Sequence, residues 1–495
     1  MPTTKAGKVI LWSVITALGL YVIFLYPESE PPPPNYSHSR PFTWNQDEQW
    51  EALEAKFSAL RPLGCQSLED RLNDGFAHTK DLIDHIIGQK IEPAAPILED
   101  MEKTLFALAP MVGVCTERAP EYLGMVGWMR SAVKDQSLRW DMSDPLVRKR
   151  MYRLLYGGRA ASEEVLLQTP RSAVPPLVAG DDEPSQTPDT MVLDVRIHSG
   201  DILVSRGGAP TSALIARGND YPGNFSHVAL VYVDPGTRIP LIIESHIERG
   251  VTISSLQEYL GDVKMRIMVL RLRSDLPAMI ADPMLPHKAA EHAIASARRQ
   301  HIPYDFAMDV EDTSKMFCSE VVWSAYSVMG MKLWRGMSTI STPGVSAWLA
   351  AFGVRHFDTQ EPSDLEYDPQ LRVVGEWRSP ETLFNDHVDN AILDALLEGA
   401  EQGDRIQHAW YLLPFARLTK LYSVFLNAFG KVGPVPEGMS ATTGLRHTWL
   451  VAKHGAMKAK ILRIADEFRT SNGYSPPYWN LLKMARKAKA EVERE

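Results

Sequence analysis

Residues 305–329 read DFAMDVEDTSKMFCSEVVWSAYSVM, and Cys318 stands where the polar half of that stretch gives way to the apolar half. After it, Val321, Val322, Ala325, Tyr326 and Met329 recur at helical spacing, and Gly330 supplies a stop. A cysteine at a helix amino end sits among unpaired N–H groups and the positive end of the dipole. Both favour the thiolate over the thiol. A thiolate nucleophile also needs a base. The nearest candidate is far upstream, in Phe225-Ser226-His227-Val228-Ala229-Leu230, a strand-like run in which His227 shares a face with Ala229, Val231 and Val233. Whether Cys318 and His227 meet decides between a cysteine hydrolase and a buried structural thiol.

A histidine acting as base needs a third group to hold its tautomer and orientation. The next strand-like run, Ile242-Ile243-Glu244-Ser245-His246, offers two on one face, Glu244 and His246. Glu244 is preferred, because an ionised carboxylate also stabilises the imidazolium that forms. The alternative for Glu244 is a surface residue paired with Arg249. Further short runs rich in Val and Ile lie at Asp201–Val204 and Arg266–Leu272. A helix over His287–His301 follows, stopped by Pro303. Strands first and helices after make an α+β domain.

Five motifs in this order are Gly200-Asp201-Ile202-Leu203, Phe225 to Val231, Ile243-Glu244-Ser245 with Gly250-Val251, Pro303-Tyr304-Asp305-Phe306, and Phe317 to Val322. Together they resemble the circularly permuted papain-like enzymes of the NlpC superfamily, nearest its YiiX-like (YaeF-like) branch, over roughly 194–333. The resemblance implies an antiparallel sheet packed on helices, with the histidine ahead of the cysteine in the chain. It also implies a triad of Cys318, His227 and Glu244 acting through an acyl-thioester. Asp201, Tyr304 and Asp305 are expected to cap a strand and a turn. The segment between Asp201 and His227 is expected to lie over the site as a loop, with Arg206 and Arg217 solvated or binding an anionic group. No cofactor and no metal is implied. His227, His246 and His301 lack the close spacing of metal ligands.

The flanks set the context. The run VILWSVITALGLYVIFLY over 9–26 carries no charge, follows Lys5 and Lys8 and precedes Glu28 and Glu30. It reaches the lower end of the length that spans a bilayer and is oriented with its amino end inside. A cleaved signal peptide is the rival, disfavoured because Phe-Leu-Tyr-Pro-Glu offers no small-x-small cleavage pattern. The domain expectations are a membrane anchor over 1–26, a proline-rich spacer over 27–46, a helical domain over 47–167, a linker over 168–192, the catalytic domain over 193–345 and a mostly helical region over 346–495. The aromatic-dense stretch from Trp410 to Phe429 is expected in the core, with a lipid-facing surface beside the site as the alternative. The tail from Lys483 is expected to be a solvated helix. His78 and His85 are expected to be ordinary surface or core residues.

The net charge of −9 argues against a nucleic-acid partner, which would need a basic face. Three cysteines leave at least one unpaired; Cys65 with Cys115 is the pairing to test, Cys318 being the free thiol. The function expected is hydrolysis of an amide in the cell envelope, on a wall peptide or lipoprotein, by an enzyme held at the inner membrane with its catalytic domain outside the cytoplasm. Lipid acyl hydrolysis or acyl transfer by the same triad is the alternative. A non-catalytic envelope scaffold is the third possibility.

Overall fold

The computed structural model describes residues 5–26, 48–170 and 176–494; the spacer over 27–46 lies outside them. Helix α1 (Lys5–Phe24) forms where the apolar run was found. Side chains within it are described only from Trp12 on. Among the described residues no helix is long and apolar enough to cross a membrane.

Six helices follow: α2 (Glu48–Leu60), α3 (Glu69–Gly88), α4 (Pro96–Val112), α5 (Ala119–Ser137), α6 (Pro145–Met151) and α7 (Gly157–Gln168). Their apolar stripes close on one core that includes Phe57, Ile83, Ile86, Met101, Leu105 and Leu108. Ile87, one step past that stripe, stays exposed, as do His78 and His85. Cys65 and Cys115 form a disulfide that ties the entry to α3 to the exit from α4. Cys318 is the free cysteine. The bridge closes 50 residues of chain, which restricts the unfolded state by about 3–4 kcal/mol. Cys115→Ser should therefore move the chemical-denaturation midpoint of the bundle down by that free energy. An unchanged midpoint would show that the bridge contributes nothing.

Seven strands make one antiparallel sheet: β1 (Leu177–Ala179), β2 (Ile202–Gly207), β3 (His227–Val233), β4 (Pro240–His246), β5 (Gly250–Ser255), β6 (Lys264–Leu272) and β7 (Leu371–Arg378). Their order is β1-β7-β6-β2-β3-β4-β5. The sheet thus takes its edge strand β1 from the expected linker and the interior strand β7 from beyond residue 345. Alternation along the strands sorts the side chains. Val204, Val228, Leu230 and Met268 face α9 (Leu285–Arg299) and α10 (Cys318–Val328); Leu203, Ala229, Val231 and Val269 face the hairpin Asp189–Val192/Val195–His198.

A third core lies beside the sheet. It joins α8 (Pro210–Arg217) to α11 (Pro343–Phe352), α12 (Pro380–Glu401), α14 (Ala441–Asn472) and α15 (Tyr478–Val492). The tail from Lys483, expected to be solvated, buries Ala485 and Ala488 in that core, because they share one stripe of α15 with the buried Leu481 and Leu482. Between α12 and α14 lies α13 (Leu413–Ala428). The structure overturns the expectation that its neighbourhood is core: Trp410, Phe415, Leu421, Tyr422, Phe425 and Phe429 are all exposed.

Buried ion pairs hold the three layers in register. Arg266 of β6 bonds Glu163 of α7 and, at 2.6 Å, Asp386 of α12. Arg159 reaches Glu366 at 2.6 Å and Glu376 at 2.8 Å. Arg206 and Arg217, expected to be solvated or to bind an anion, are instead buried against Asp386 at 3.1 Å and Asp394 at 2.8 Å. A guanidinium out of water needs a carboxylate, and α12 supplies both partners.

Candidate active site

The site is built at one end of the sheet from the starts and ends of strands. In the β3–β4 ladder Ala229 stands opposite Glu244. His227, two residues earlier on the same face, is therefore diagonal to Glu244 and within reach of it. His227 Nε2 lies 2.7 Å from Glu244 Oε2. The other carboxylate oxygen accepts from Ser254 of β5 at 2.8 Å and lies 3.0 Å from His246 Nε2. Both candidates for third residue thus meet at one carboxylate. Glu244 touches His227 directly, and His246 sits on the far oxygen of the same carboxylate. Arg249, the alternative partner of Glu244, is not among these contacts.

Electrostatics follow from burial and these bonds. Burial alone would drive the Glu244 carboxyl toward its neutral form. Hydrogen bonds from His227 and His246 outweigh it and hold the group far below the usual carboxylate range. The stability this contributes is present above the ordinary carboxyl pKa of about 4.3 and is lost as pH falls toward the depressed value. Burial lowers the His227 imidazole below its ordinary value, with Glu244 opposing part of the effect. Its Nε2 is engaged by the carboxylate, so Nδ1 is the nitrogen left for a second partner.

Cys318 is the first residue of α10 and is 5 % exposed. The chain entering it is tied to β4 and β5. Ser245 Oγ donates to the Met316 carbonyl at 2.6 Å, and the Val251 amide donates to the Ile302 carbonyl at 2.8 Å. Gly250, at φ +69 in the left-handed region that favours glycine, lies against this crossing, where a Cβ would stand 2.1 Å from the Ile302 carbonyl oxygen.

 Glu320, three residues into the helix frame, accepts the Phe317 amide at 2.8 Å and fixes where α10 starts.

The thiol departs from expectation. Its place at a helix amino end and an amide bond from Val228 favour the thiolate, but burial is the larger effect and pushes the Cys318 pKa up to about 11. At neutral pH the cavity they share therefore holds Cys318 as the thiol and His227 as the neutral imidazole. The first-turn amides of α10 at Cys318 and Ser319 have no intrahelical acceptor.

Cys318, His227, Glu244 and His246 line one cavity of about 1360 Å³. Away from α13 part of its wall is apolar, with Met308, Leu349, Phe352, Val435 and Leu445. Gly207, Gly208 and Thr211 line one side of it, but the segment expected there as a loop is mostly strand β2 and helix α8, and neither Arg206 nor Arg217 lines the cavity. Asp305 caps its own turn, accepting the Ala307 amide at 2.9 Å, and Asp201 accepts the His198 amide at 2.7 Å. One residue that the sequence did not single out also lines the cavity. Glu361 is buried, and its Oε2 has no hydrogen-bond partner among the described residues. Burial raises its carboxyl well above the usual range.

An antiparallel sheet backed by a helix that starts at a cysteine, with histidine and carboxylate on earlier strands, defines a papain-like α+β fold in permuted order. Residues 196–375 match the family model of the permuted papain-like amidase enzymes, YaeF/YiiX, C92 family. The matched segment extends past 333 into β7, the strand that pairs with β6. The match likens this part of the chain to amide hydrolases. No curated protein matches the chain.

Proposed function

We propose that the protein is a membrane-held cysteine hydrolase that cleaves an amide of the cell envelope, with Cys318 as nucleophile, His227 as base and Glu244 as the group that orients His227. The observation that carries this is the 2.7 Å bond between His227 Nε2 and Glu244 Oε2 in the cavity that Cys318 lines. His227 Nδ1 takes the Cys318 proton as sulfur attacks the carbonyl carbon. The first-turn amides of α10 receive the oxyanion. The imidazolium then protonates the leaving amine, giving an acyl-thioester. Water, deprotonated by His227, attacks that thioester and releases the acid and the thiol.

The disulfide between Cys65 and Cys115 supports a catalytic region outside the cytoplasm, where such bonds persist. The charge asymmetry around 9–26 supports the same side, with α1 as tether. The substrate is a wall peptide, a lipoprotein or a lipid; the apolar part of the cavity lining favours one that carries an acyl chain.

The pH profile tests the assignment. Because burial lowers the His227 pKa, the base is neutral over most of the range, and kcat/KM for amide cleavage should lose activity only below the ordinary imidazole pKa of about 6.5. An acid limb above that value, or one that persists in His227→Ala, would remove His227 from the mechanism.

A further inference from the structure

The face of α13 turned to solvent is apolar, and the face turned to the protein is polar. Lys420, Ser423 and Asn427 share the inner stripe. They bond inward to the 433–436 loop: Lys420 Nζ donates to the Pro436 carbonyl at 2.7 Å, Ser423 Oγ accepts the Val435 amide at 3.0 Å and Asn427 Oδ1 accepts the Gly433 amide at 3.2 Å. Phe415, Leu418, Leu421, Tyr422, Phe425 and Phe429 lie on the outside, each more than 50 % exposed. A helix bathed in water has the opposite polarity. An apolar patch of this kind marks an interaction surface.

Three further observations say what covers it. The patch is continuous with α1, itself apolar: Tyr21 donates to the Tyr411 carbonyl at 2.9 Å, and Arg417 donates to the Phe24 and Tyr26 carbonyls at 2.8 and 2.7 Å. From 406 to 436 the chain carries Arg417, Lys420 and Lys431 but no Asp or Glu, in a protein whose net charge is −9. Trp410, Tyr411 and Tyr422 are the residue types that settle at the boundary between headgroups and acyl chains.

We infer that α13 lies in the plane of a lipid leaflet and that the catalytic cavity opens there, so that the amide cleaved bears an acyl chain drawn from the bilayer. Leu412, Phe415, Ala416, Thr419 and Val432 line the same cavity as Cys318. The docking face and the cavity rim are thus one surface. A chain leaving the leaflet passes Phe415 and reaches the apolar part of the cavity lining without crossing water. The substrate class rests on the cysteine-hydrolase assignment; the docking face does not.

The test uses the full chain and vesicles of phosphatidylethanolamine and phosphatidylglycerol. An environment-sensitive fluorophore is attached through Leu421→Cys in a Cys318→Ala background. A control is attached through Met191→Cys, in the hairpin near the opposite end of β2. The Leu421 probe should shift to the blue with vesicles and be quenched by brominated acyl chains, and the Met191 probe should not. A Leu421 probe that stays in water, or that is protected without vesicles in proportion to protein concentration, would overturn the inference; the second result would assign the face to another copy of the chain. With Cys318 intact, the double variant Leu421→Ser, Phe425→Ser should turn over a long-chain N-acyl amide carried in the vesicles at least about tenfold more slowly. It should turn over a short-chain, water-soluble amide at the unchanged rate. Equal loss on both substrates would overturn the inference. An immersed Leu421 probe with no turnover of either amide by the wild type would leave the docking face standing and remove the hydrolase assignment.

Discussion

Cys318→Ala should lower kcat for cleavage of an N-acyl amide by at least about a thousandfold, while the protein keeps its fold. The size of the effect follows from the chemistry. Without the sulfur no acyl-enzyme forms, and what remains is the modest rate gained from binding and the amides at the start of α10. The unchanged fold follows from place: Cys318 fills the first position of α10, and loss of one buried sulfur there costs far less than the cores that hold the helix against β3. Steady-state kinetics beside a thermal melt would show it. A variant retaining a tenth or more of wild-type kcat would mean that another group attacks the carbonyl.

Glu244→Gln should lower kcat by about a hundred- to ten-thousandfold, and His246→Gln by no more than about tenfold. Glutamine keeps the shape of the side chain but not its charge. It presents an amide where His227 now meets an anion at 2.7 Å, so the imidazolium formed in the reaction loses its partner. His246 bonds the other oxygen at 3.0 Å. Its loss changes the setting of the carboxylate and not its charge. The two variants also differ in their pH response. Glu244→Gln removes the carboxylate whose depressed pKa makes stability fall at low pH, so it should flatten the acid limb of the unfolding curve. Equal kinetic effects of the two substitutions would contradict the order of contacts described above.

Much of this site was legible before the structure, and for definite reasons. His227, Glu244 and Cys318 sit on elements with strong local signals: two strands apolar enough to be recognised and one helix with a clear apolar stripe. The period of two along Ile242–His246 already placed Glu244 and His246 on one face; choosing between them needed the register, since Ala229 and not His227 stands opposite Glu244. β5 was missed because Thr252, Ser254 and Ser255 dilute its alternation. β7 was missed because Gly375 and Glu376 interrupt it where the ladder with β6 shifts register. Arg206 and Arg217 looked like solvated loop residues because Asp386 and Asp394 lie far along the chain. Nor does a sequence show burial, which is why a thiol at a helix amino end was expected to ionise easily and does not. The stretch from Trp410 to Phe429 was misjudged for a related reason. Apolar density alone suggests core, whereas the stripe of Lys420, Ser423 and Asn427 was the sign that the polar side faces inward.

The most direct measurement is the mass of the enzyme during turnover. Quenched in acid while cleaving a long-chain N-acyl amide, the wild-type protein should carry one acyl group. Proteolysis should place it on the peptide that contains Cys318, and neutral hydroxylamine should remove it as it removes a thioester. The adduct should be absent from His227→Ala. Amide cleavage by wild-type protein with no acyl group on Cys318, or with the group on another residue, would contradict the account.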